Sequence, residues 1–145
     1  MIAVLQRVIK AKVTVDNQPV SEIGPGLLIL LGIRKGDTEE QARGLAMRCR
    51  QVRIFEDDDG KFNRSLEETK GEVLVVSQFT LLADTSRGRR PSFTDAEEPT
   101  RARVLYEFFM EQLRLMGIPT RGGVFGARMT VGLDNYGPVT IIMEV

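Results

Sequence analysis

The sequence GPGLLILLGI, at residues 24–33, sets the architecture of this chain. After its Gly-Pro-Gly turn signal, residues 27–33 form a continuous apolar run, which is suited to a strand buried on both faces. A second long apolar strand is predicted over residues 72–81. Further strands are predicted where apolar or β-branched residues recur, at residues 1–8, 12–15, 52–55, 124–125, 129–133 and 139–145.

Two helices are predicted between these strands. The motif Asp37-Thr38-Glu39-Glu40 has the form of a capping box and opens a helix to about Arg50. Pro99 begins a second helix, which reaches Leu115 and is capped by Gly117. The predicted inward residues are Ala42, Leu45, Ala46 and Cys49 on the first helix, and Val104, Leu105, Phe108, Leu113 and Met116 on the second. Two helices among about seven strands favour a mixed α/β layered fold, with residues 1–145 as a single domain.

The composition is ordinary for a globular protein. The chain has 145 residues, of which 42% are hydrophobic and 28% are charged. Its apolar runs fall short of the ~18 residues that a membrane span needs. Residues 1–10 lack the pattern of a signal peptide. We therefore predict a cytoplasmic protein with no membrane partner.

The sequence has no histidine and a single cysteine, Cys49. The lack of histidine excludes Ser-His-Asp and Cys-His catalysis and histidine ligation of metals. One cysteine makes neither an internal disulfide nor a Cys-rich zinc site, and Cys49 is predicted to lie in the core. The run DDDG at residues 57–60 could bind a cation, but we interpret it as a hairpin turn. No metal and no cofactor is predicted.

One polar segment interrupts the strand predicted over residues 72–81. It consists of Ser77, Gln78, Phe79 and Thr80. Polar side chains in such a strand need partners, because burying them unpaired costs free energy. They form either a cross-strand hydrogen-bond network or the lining of a pocket, and spacing alone favours the network.

Two further polar segments allow similar alternatives. Residues 135–140, Asn-Tyr-Gly-Pro-Val-Thr, are typical of a hairpin turn. Arg87, Arg89 and Arg90 lie in an exposed loop, which is either simply solvated or binds phosphate through its guanidinium groups. Lysine plus arginine equals aspartate plus glutamate at 20 each, so any contact with RNA is predicted to be local.

Seven short motifs occur in order along the chain. They are LQRV at residues 5–8, IGPGL at 23–27, VRIF at 52–55, SQFT at 77–80, GRRPSF at 88–93, GVFG at 123–126 and GPVT at 137–140. Each is weak alone. Together they resemble the D-aminoacyl-tRNA deacylase family (the D-tyrosyl-tRNA deacylase type), editing enzymes that hydrolyse the ester joining a D-amino acid to the 3′ end of tRNA.

The resemblance implies a three-layer β/β/α fold that works as a homodimer, with an active site at each end of the interface. Its partner would be the 3′ end of aminoacyl-tRNA. Thr80, Gln78 and Ser77 would be the catalytic residues beside the scissile ester. Gly137-Pro138, joined by a cis peptide bond in the family, would enter the partner subunit's site and exclude L-amino acids. Glycine has no Cβ to exclude, so glycyl-tRNA mischarged on a non-cognate tRNA is also an expected substrate.

The resemblance also implies residues that bind the substrate. Phe79 belongs to the catalytic segment, Phe125 to the segment that bounds the pocket, and Arg7 is expected to help hold Gly137-Pro138. The arginines of the exposed loop are the candidates for RNA contact. Arg128 and Tyr136 stand where the family usually has acidic residues, which puts contacts at the rim in question rather than the reaction.

Two alternative functions come from other classes of protein. One is a non-catalytic tRNA- or RNA-binding module that uses the arginine loop. The zero net charge and the lack of an aromatic stacking platform count against it. The other is an esterase for small substrates with Thr80 as the nucleophile. The lack of histidine counts against this, because no obvious base would activate the hydroxyl.

Overall fold

The computed structural model describes residues 1–86 and 88–145. Its strands are β1 (Ile2–Val15), β2 (Gln18–Ile23), β3 (Gly26–Gly32), β4 (Phe55–Glu56), β5 (Phe62–Arg64), β6 (Glu72–Ser77), β7 (Thr120–Gly122) and β8 (Thr130–Glu144). Its helices are α1 (Glu39–Gln51) and α2 (Pro99–Leu115), and a 3-10 turn spans Phe79–Leu82. The predicted mixed α/β fold with two main helices is confirmed.

Most strands belong to one six-stranded sheet built around β1. Along one edge β1 pairs with β8 in antiparallel fashion. Along the other edge it pairs with β3 near its start and with β2 near its end. β6 is parallel to β3, and β7 is parallel to β6. Because β1 serves three partners and its register shifts at bulges, the sheet curls towards a barrel.

The centre of the curled sheet is buried on both faces. β3 is almost entirely buried, as its leucine run predicts. On one face α1 and α2 complete a core that contains Leu45 and Phe109. On the other face a second core contains Leu28, Leu74 and Val13. The two cores explain why β3 and residues 73–76 of β6 are continuously apolar rather than alternating.

The N-cap of helix α1 lies one residue later than the predicted capping box places it. Its N-cap is Thr38, whose hydroxyl accepts a hydrogen bond from the Gln41 N–H at 3.3 Å. The Gln41 side chain in turn accepts from the Thr38 N–H at 2.8 Å. The predicted pairing of Asp37 with Glu40 is therefore wrong. Asp37 is buried instead and pairs with the Met1 ammonium group at 2.8 Å, so its carboxylate is not available as a cap.

The predicted inward face is confirmed for α1 and partly wrong for α2. All four predicted residues of α1 are buried, Cys49 among them. On α2, Leu105 and Leu113 are buried, but Val104 is 54% exposed and Phe108 and Met116 are only half-buried. The buried stripe is rotated towards Ala102, Tyr106, Phe109 and Met110. Among the described residues, neither helix is long and apolar enough to cross a membrane.

Several strand predictions need correction. Residues 1–8 and 12–15 belong to one strand, and residues 129–133 and 139–145 both belong to β8. Residues 52–54 and 124–125 are not strands. The DDDG run is a turn, as predicted, since the Asp57 carboxylate accepts hydrogen bonds from the Asp59 and Lys61 N–H groups at 3.0 Å.

Candidate active site

β6 ends at Ser77, where the chain turns away from the sheet. Ser77 pairs with Leu31 of β3, and the Gln78 N–H donates to the Leu31 carbonyl at 2.8 Å. The Leu81 N–H then donates to the Gln78 carbonyl at 3.2 Å and starts the 3-10 turn. A Cβ at Gly32 would lie 3.1 Å from the Gln78 carbonyl oxygen, so glycine lets the turn pack closely against β3. The predicted strand through residue 81 is therefore wrong beyond Ser77.

A cavity of about 460 Å³ opens beside this turn. Its walls are mostly apolar and come from β3, β6, α2 and the segment before β8; they include Leu31, Val76, Ala102, Phe125 and Met129. Ser77, Gln78 and Phe79 line the same cavity. The structure therefore favours the interpretation of this segment as a pocket lining over that of a cross-strand network.

Thr80 lies at the edge of the site rather than in the cavity wall. It is exposed on the 3-10 turn, and its hydroxyl accepts a hydrogen bond from the Gln78 side-chain amide. The hydrogen bonds of the turn start with the Leu81 N–H, so the N–H groups of Phe79 and Thr80 precede them. The turn thus places the Thr80 hydroxyl and the Gln78 amide together at one edge of an apolar cavity.

Phe125, one wall of the cavity, is held in place by Tyr106. The ring centroids of the two residues are 5.7 Å apart. The Tyr106 hydroxyl donates to the Val75 carbonyl at 2.8 Å, and burial raises the pKa of Tyr106 to about 12. A Cβ at Gly122 would lie 2.9 Å from this hydroxyl, so a side chain there would displace it. The guanidinium group of Arg103 covers Phe125 at 5.7 Å.

Glu97 is the one ionisable side chain among the described residues that line the cavity. Its carboxylate accepts hydrogen bonds from the N–H groups of Glu98 at 2.9 Å and Gly36 at 3.3 Å, and pairs with Arg101 at 3.3 Å. The Glu98 N–H first, and then Gly36 and Arg101, hold the pKa of Glu97 below its ordinary value. A carboxylate stabilised in this way is a weak base, so it is poorly suited to activate water.

The described residues offer few other reactive groups. They contain no cluster of three or more His, Cys, Asp or Glu side chains that could hold a metal ion. Cys49 is fully buried, and burial raises the pKa of its thiol to about 12. This confirms the prediction that Cys49 is a core residue, because a thiol with such a pKa forms almost no thiolate at neutral pH.

The Gly137-Pro138 segment projects from the edge of the sheet. Along β8, Thr140 pairs with Gln6 and Asn135 pairs with Val8, so residues 136–139 have no partner position on β1. The peptide bond between Gly137 and Pro138 is cis, and both residues are exposed. The interpretation of residues 135–140 as a hairpin turn is wrong, because they are an excursion within one continuous strand.

Asn135 closes the base of this excursion. Its side-chain oxygen accepts from the Val139 N–H at 2.9 Å, and its amide nitrogen donates to the Thr140 hydroxyl at 3.3 Å. The Gln6 side chain also bonds to both Asn135 and Thr140. These bonds replace the backbone pairing that the excursion interrupts.

Arg7 holds the excursion from below and is only 3% exposed. Its Nε donates to the Tyr136 carbonyl at 2.9 Å, and its Nη1 donates to the Ile54 carbonyl at 2.8 Å. Its Nη2 pairs with the Glu56 carboxylate at 3.2 Å. The guanidinium carbon lies 5.1 Å from the ring centroids of both Phe62 and Tyr136. A buried guanidinium is thereby provided with acceptors and aromatic rings.

The two groups of predicted site residues do not meet within this chain. Gly137 and Pro138 lie on β8, whereas Ser77 lies on β6, with β1 and β3 between them. Three strand spacings of ~4.8 Å lie between these strands, which is roughly 14 Å measured along the curled sheet. Neither Gly137, Pro138 nor Arg7 lines the cavity.

The predicted arginine loop leads back to the cavity. Its base is closed by Asp84 and Ser92, whose backbones exchange hydrogen bonds of 2.8 and 2.9 Å. Phe93 packs edge-on against Phe79, with centroids 5.0 Å apart. Arg89 and Arg90 are exposed, while Arg87 lies outside the described residues. Their contact with RNA stays a prediction.

Several residues of the site carry no signal in the sequence. Glu97 and Met129 reach the cavity through tertiary packing alone, and no local motif marks them. Glu56 and Phe62 reach Arg7 only because the β4–β5 hairpin folds over β1. Of the two departures, Arg128 is exposed, and the Tyr136 ring lies against the Arg7 guanidinium group.

An apolar cavity of this size, with a few polar groups gathered at one edge, is typical of an enzyme or binding protein for a small organic group. The family follows from the sequence itself. The model of the D-Tyr-tRNA(Tyr) deacylase family matches residues 4–144, and the chain belongs to this family.

Its relatives are similar over their full length. The D-aminoacyl-tRNA deacylase of Roseiflexus castenholzii is 56% identical over 99% of this chain and 92% of its own. That of Carboxydothermus hydrogenoformans is 52% identical over the whole of both chains. Among solved structures, one titled c-Myc DNA Unwinding Element Binding Protein is 40% identical, with a TM-score of 0.95 over 100% of this chain and 99% of its own.

Proposed function

We infer that this protein is a D-aminoacyl-tRNA deacylase, which releases a free D-amino acid and tRNA by hydrolysis of their ester. The observation that carries the inference is the position of Ser77, Gln78 and Phe79 at the polar edge of the cavity. Membership of the deacylase family supports it. The substrate is present where proteins are made, so we place the reaction in the cytoplasm, carried out by residues 1–145 as one domain.

The cavity suits the end of a charged tRNA. Its apolar walls and the Phe125 ring offer a surface on which a terminal adenine can stack. The ester would then lie at the polar edge, beside Ser77, Gln78 and Thr80. The neutral net charge agrees with recognition of the 3′ end alone rather than of a long stretch of RNA.

The chemistry requires little more than positioning and charge stabilisation, because an aminoacyl ester is already activated. The Thr80 hydroxyl and the N–H groups at the start of the 3-10 turn stabilise the developing oxyanion. Glu97 is committed to three donors and Cys49 is buried, so neither serves as the base. The ribose 2′-OH of the substrate, next to the ester, orients the water.

This role of the 2′-OH can be tested directly. A tRNA that ends in 2′-deoxyadenosine and is esterified at the 3′ position should be cleaved far more slowly than normal tRNA. Cleavage at the normal rate would rule the role out. Thr80→Ala separates two roles of the hydroxyl: partial loss of kcat indicates oxyanion stabilisation, whereas complete loss indicates a nucleophile.

Chiral selection is assigned to a second subunit. Gly137 and Pro138 are exposed, and β1 and β3 separate their strand from β6, which borders the cavity of the same chain. A homodimer in which each subunit inserts this segment into the other's site would explain their position. Their carbonyl groups bind the α-ammonium group of the substrate and fill the space that an L side chain needs. Each subunit of such a dimer has the three-layer β/β/α arrangement.

Exclusion of this kind predicts a second substrate. Glycine has no Cβ, so glycyl-tRNA mischarged on a non-cognate tRNA is hydrolysed too. Full resistance of glycyl-tRNA would argue against exclusion as the basis of selectivity.

A non-catalytic nucleic-acid-binding module is the second candidate function. It is favoured by the solved relative that is 40% identical, because the name of that protein describes DNA binding. The two candidates separate in one experiment, in which tRNA binding and release of D-tyrosine from D-tyrosyl-tRNA are measured in parallel. Tight binding without release would favour the module, and multiple turnovers would establish the deacylase.

A further inference from the structure

The β4–β5 hairpin forms a small sheet of its own, and its contacts with the rest of the chain include Arg7. Glu56 in β4 pairs with Arg7 Nη2 at 3.2 Å, and the Phe62 ring in β5 lies 5.1 Å from the guanidinium carbon. Just before β4, the Ile54 carbonyl accepts from Arg7 Nη1 at 2.8 Å. The hairpin therefore fixes the guanidinium group from several directions.

The same guanidinium group abuts Gly137. A Cβ built on Gly137 would lie 2.9 Å from Arg7 Nη2, the nitrogen that pairs with Glu56. Arg7 also bonds to the Tyr136 carbonyl and lies over the Tyr136 ring. A displacement of Arg7 is therefore transmitted directly to the residues that precede Pro138.

We propose that Phe62 and Glu56 are positioning residues for the Gly137-Pro138 segment, acting through Arg7, and that they set how strongly L-aminoacyl substrates are rejected. The inference rests on the proposed function, in which this segment is the chiral filter. A filter that works by exclusion must be held firmly, because a shift of a fraction of an ångström admits a side chain. The hairpin supplies that rigidity from outside the sheet.

The exposure of Phe62 argues for this role over a role in the core. Its side chain is 53% exposed and belongs to neither hydrophobic core, although a phenylalanine is costly to leave in water. Tyr136 completes an aromatic pair around the guanidinium group. The aromatic faces and the Glu56 carboxylate together stabilise the cation.

The test compares hydrolysis of D- and L-tyrosyl-tRNA by the full-length protein and by variants of the hairpin. Phe62→Ala and Phe62→Leu remove the aromatic face, and Phe62→Trp retains it. We expect the ratio of kcat/KM for the D substrate to that for the L substrate to fall on the order of tenfold in the first two and to be rescued in the third. Glu56→Gln, which keeps an acceptor but loses the charge, should give a smaller fall.

The substrate whose hydrolysis changes distinguishes a loss of positioning from a general structural defect. Loss of positioning raises hydrolysis of the L substrate, whereas partial unfolding lowers hydrolysis of both substrates together. Leu115→Ala is the matched control, because Leu115 is 71% exposed at the end of α2 and touches neither Arg7 nor the cavity. It should leave the ratio unchanged.

Two outcomes would overturn the proposal, and they are distinguishable. A D-selective wild-type protein whose Phe62→Ala and Glu56→Gln variants keep the full ratio would overturn the positioning role and leave the deacylase function intact. A wild-type protein that hydrolyses neither substrate, or both equally, would overturn the proposed function and the filter with it.

Discussion

Gly137 has a backbone φ of +130°, a conformation that residues with a side chain rarely adopt. The space around it is also closed, since a Cβ would lie 2.8 Å from Val139 Cγ2 and 2.9 Å from Arg7 Nη2. Both the backbone angle and the packing therefore require glycine. The residue contributes to the site through its lack of a side chain.

Gly137→Ala is expected to destabilise the protein more than an ordinary glycine replacement. Strain at positive φ costs about 1–2 kcal/mol, and displacement of the two neighbours adds about 1–3 kcal/mol. Gly117→Ala is the control, because Gly117 has a φ of +82° with open space around it. Urea unfolding of both variants measures the difference. Equal losses would show that the contact with Arg7 does not constrain Gly137.

The Tyr106 hydroxyl donates a hydrogen bond to the Val75 carbonyl in the core, and the Tyr106 ring packs against Phe125 in the cavity wall. Its pKa is raised by burial from the ordinary value of 10.0 to about 12. A raised pKa means that the folded state holds the proton more tightly than the unfolded state. The associated stability is fully present below pH 10 and is lost as the pH rises towards 12.

Tyr106→Phe should remove this alkaline dependence and lower the free energy of unfolding by about 1–2 kcal/mol at neutral pH, because the Val75 carbonyl loses a donor. Denaturation at pH 7, 10 and 11 measures both effects. Any loss of stability that the variant still shows at high pH is expected to come from Cys49, whose pKa is also raised by burial. An identical slope in the wild type and the variant would contradict the assignment to Tyr106.

Among the helices and strands, the sequence predicted those features that depend on neighbouring residues in the chain. The leucine run of β3, the four inward residues of α1 and the bounds of α2 follow from burial and from helix-end chemistry. The end of β6 at Ser77 did not, because it depends on Gly32 of the neighbouring strand. The excursion of β8 was missed for the same reason, since its base is closed by Gln6, far away in sequence.

The start of α1 offers a test at this scale. Thr38→Ala removes the observed cap and should cost about 1 kcal/mol. Asp37→Asn should cost about 3 kcal/mol or more, because it breaks a buried pair and leaves the Met1 ammonium group without its counter-charge. Thermal or urea unfolding of the two variants shows which substitution lowers the stability more. A larger loss for Thr38→Ala would contradict the role of Asp37 as a buried partner.

For the whole molecule, the separation of the two groups of site residues is the main constraint. The polar segment at Ser77 was identified from the sequence as a candidate pocket lining, whereas most walls of the cavity were not, because they come from four distant parts of the chain. The cross-subunit arrangement rests on the distance across β1 and β3. It makes a prediction that no single-subunit site shares.

Mixed dimers test the arrangement. A subunit carrying Thr80→Ala is mixed with a subunit carrying Pro138→Ala, after dissociation and reassociation. If each site combines residues of two subunits, one site of the mixed dimer holds both changes and the other is wild-type, so D-selective activity returns. If each site lies within one subunit, no wild-type site forms and D-selective activity does not rise above that of the Thr80→Ala protein.

The most direct measurement compares the purified protein on matched D- and L-tyrosyl-tRNA, with Pro138→Ala alongside. We expect the wild-type protein to release D-tyrosine over many turnovers and to leave L-tyrosyl-tRNA intact, and the variant to hydrolyse some of the L substrate. Equal hydrolysis of both substrates by the wild-type protein, or none of either, would contradict the assignment of this fold and site to the removal of D-amino acids from tRNA.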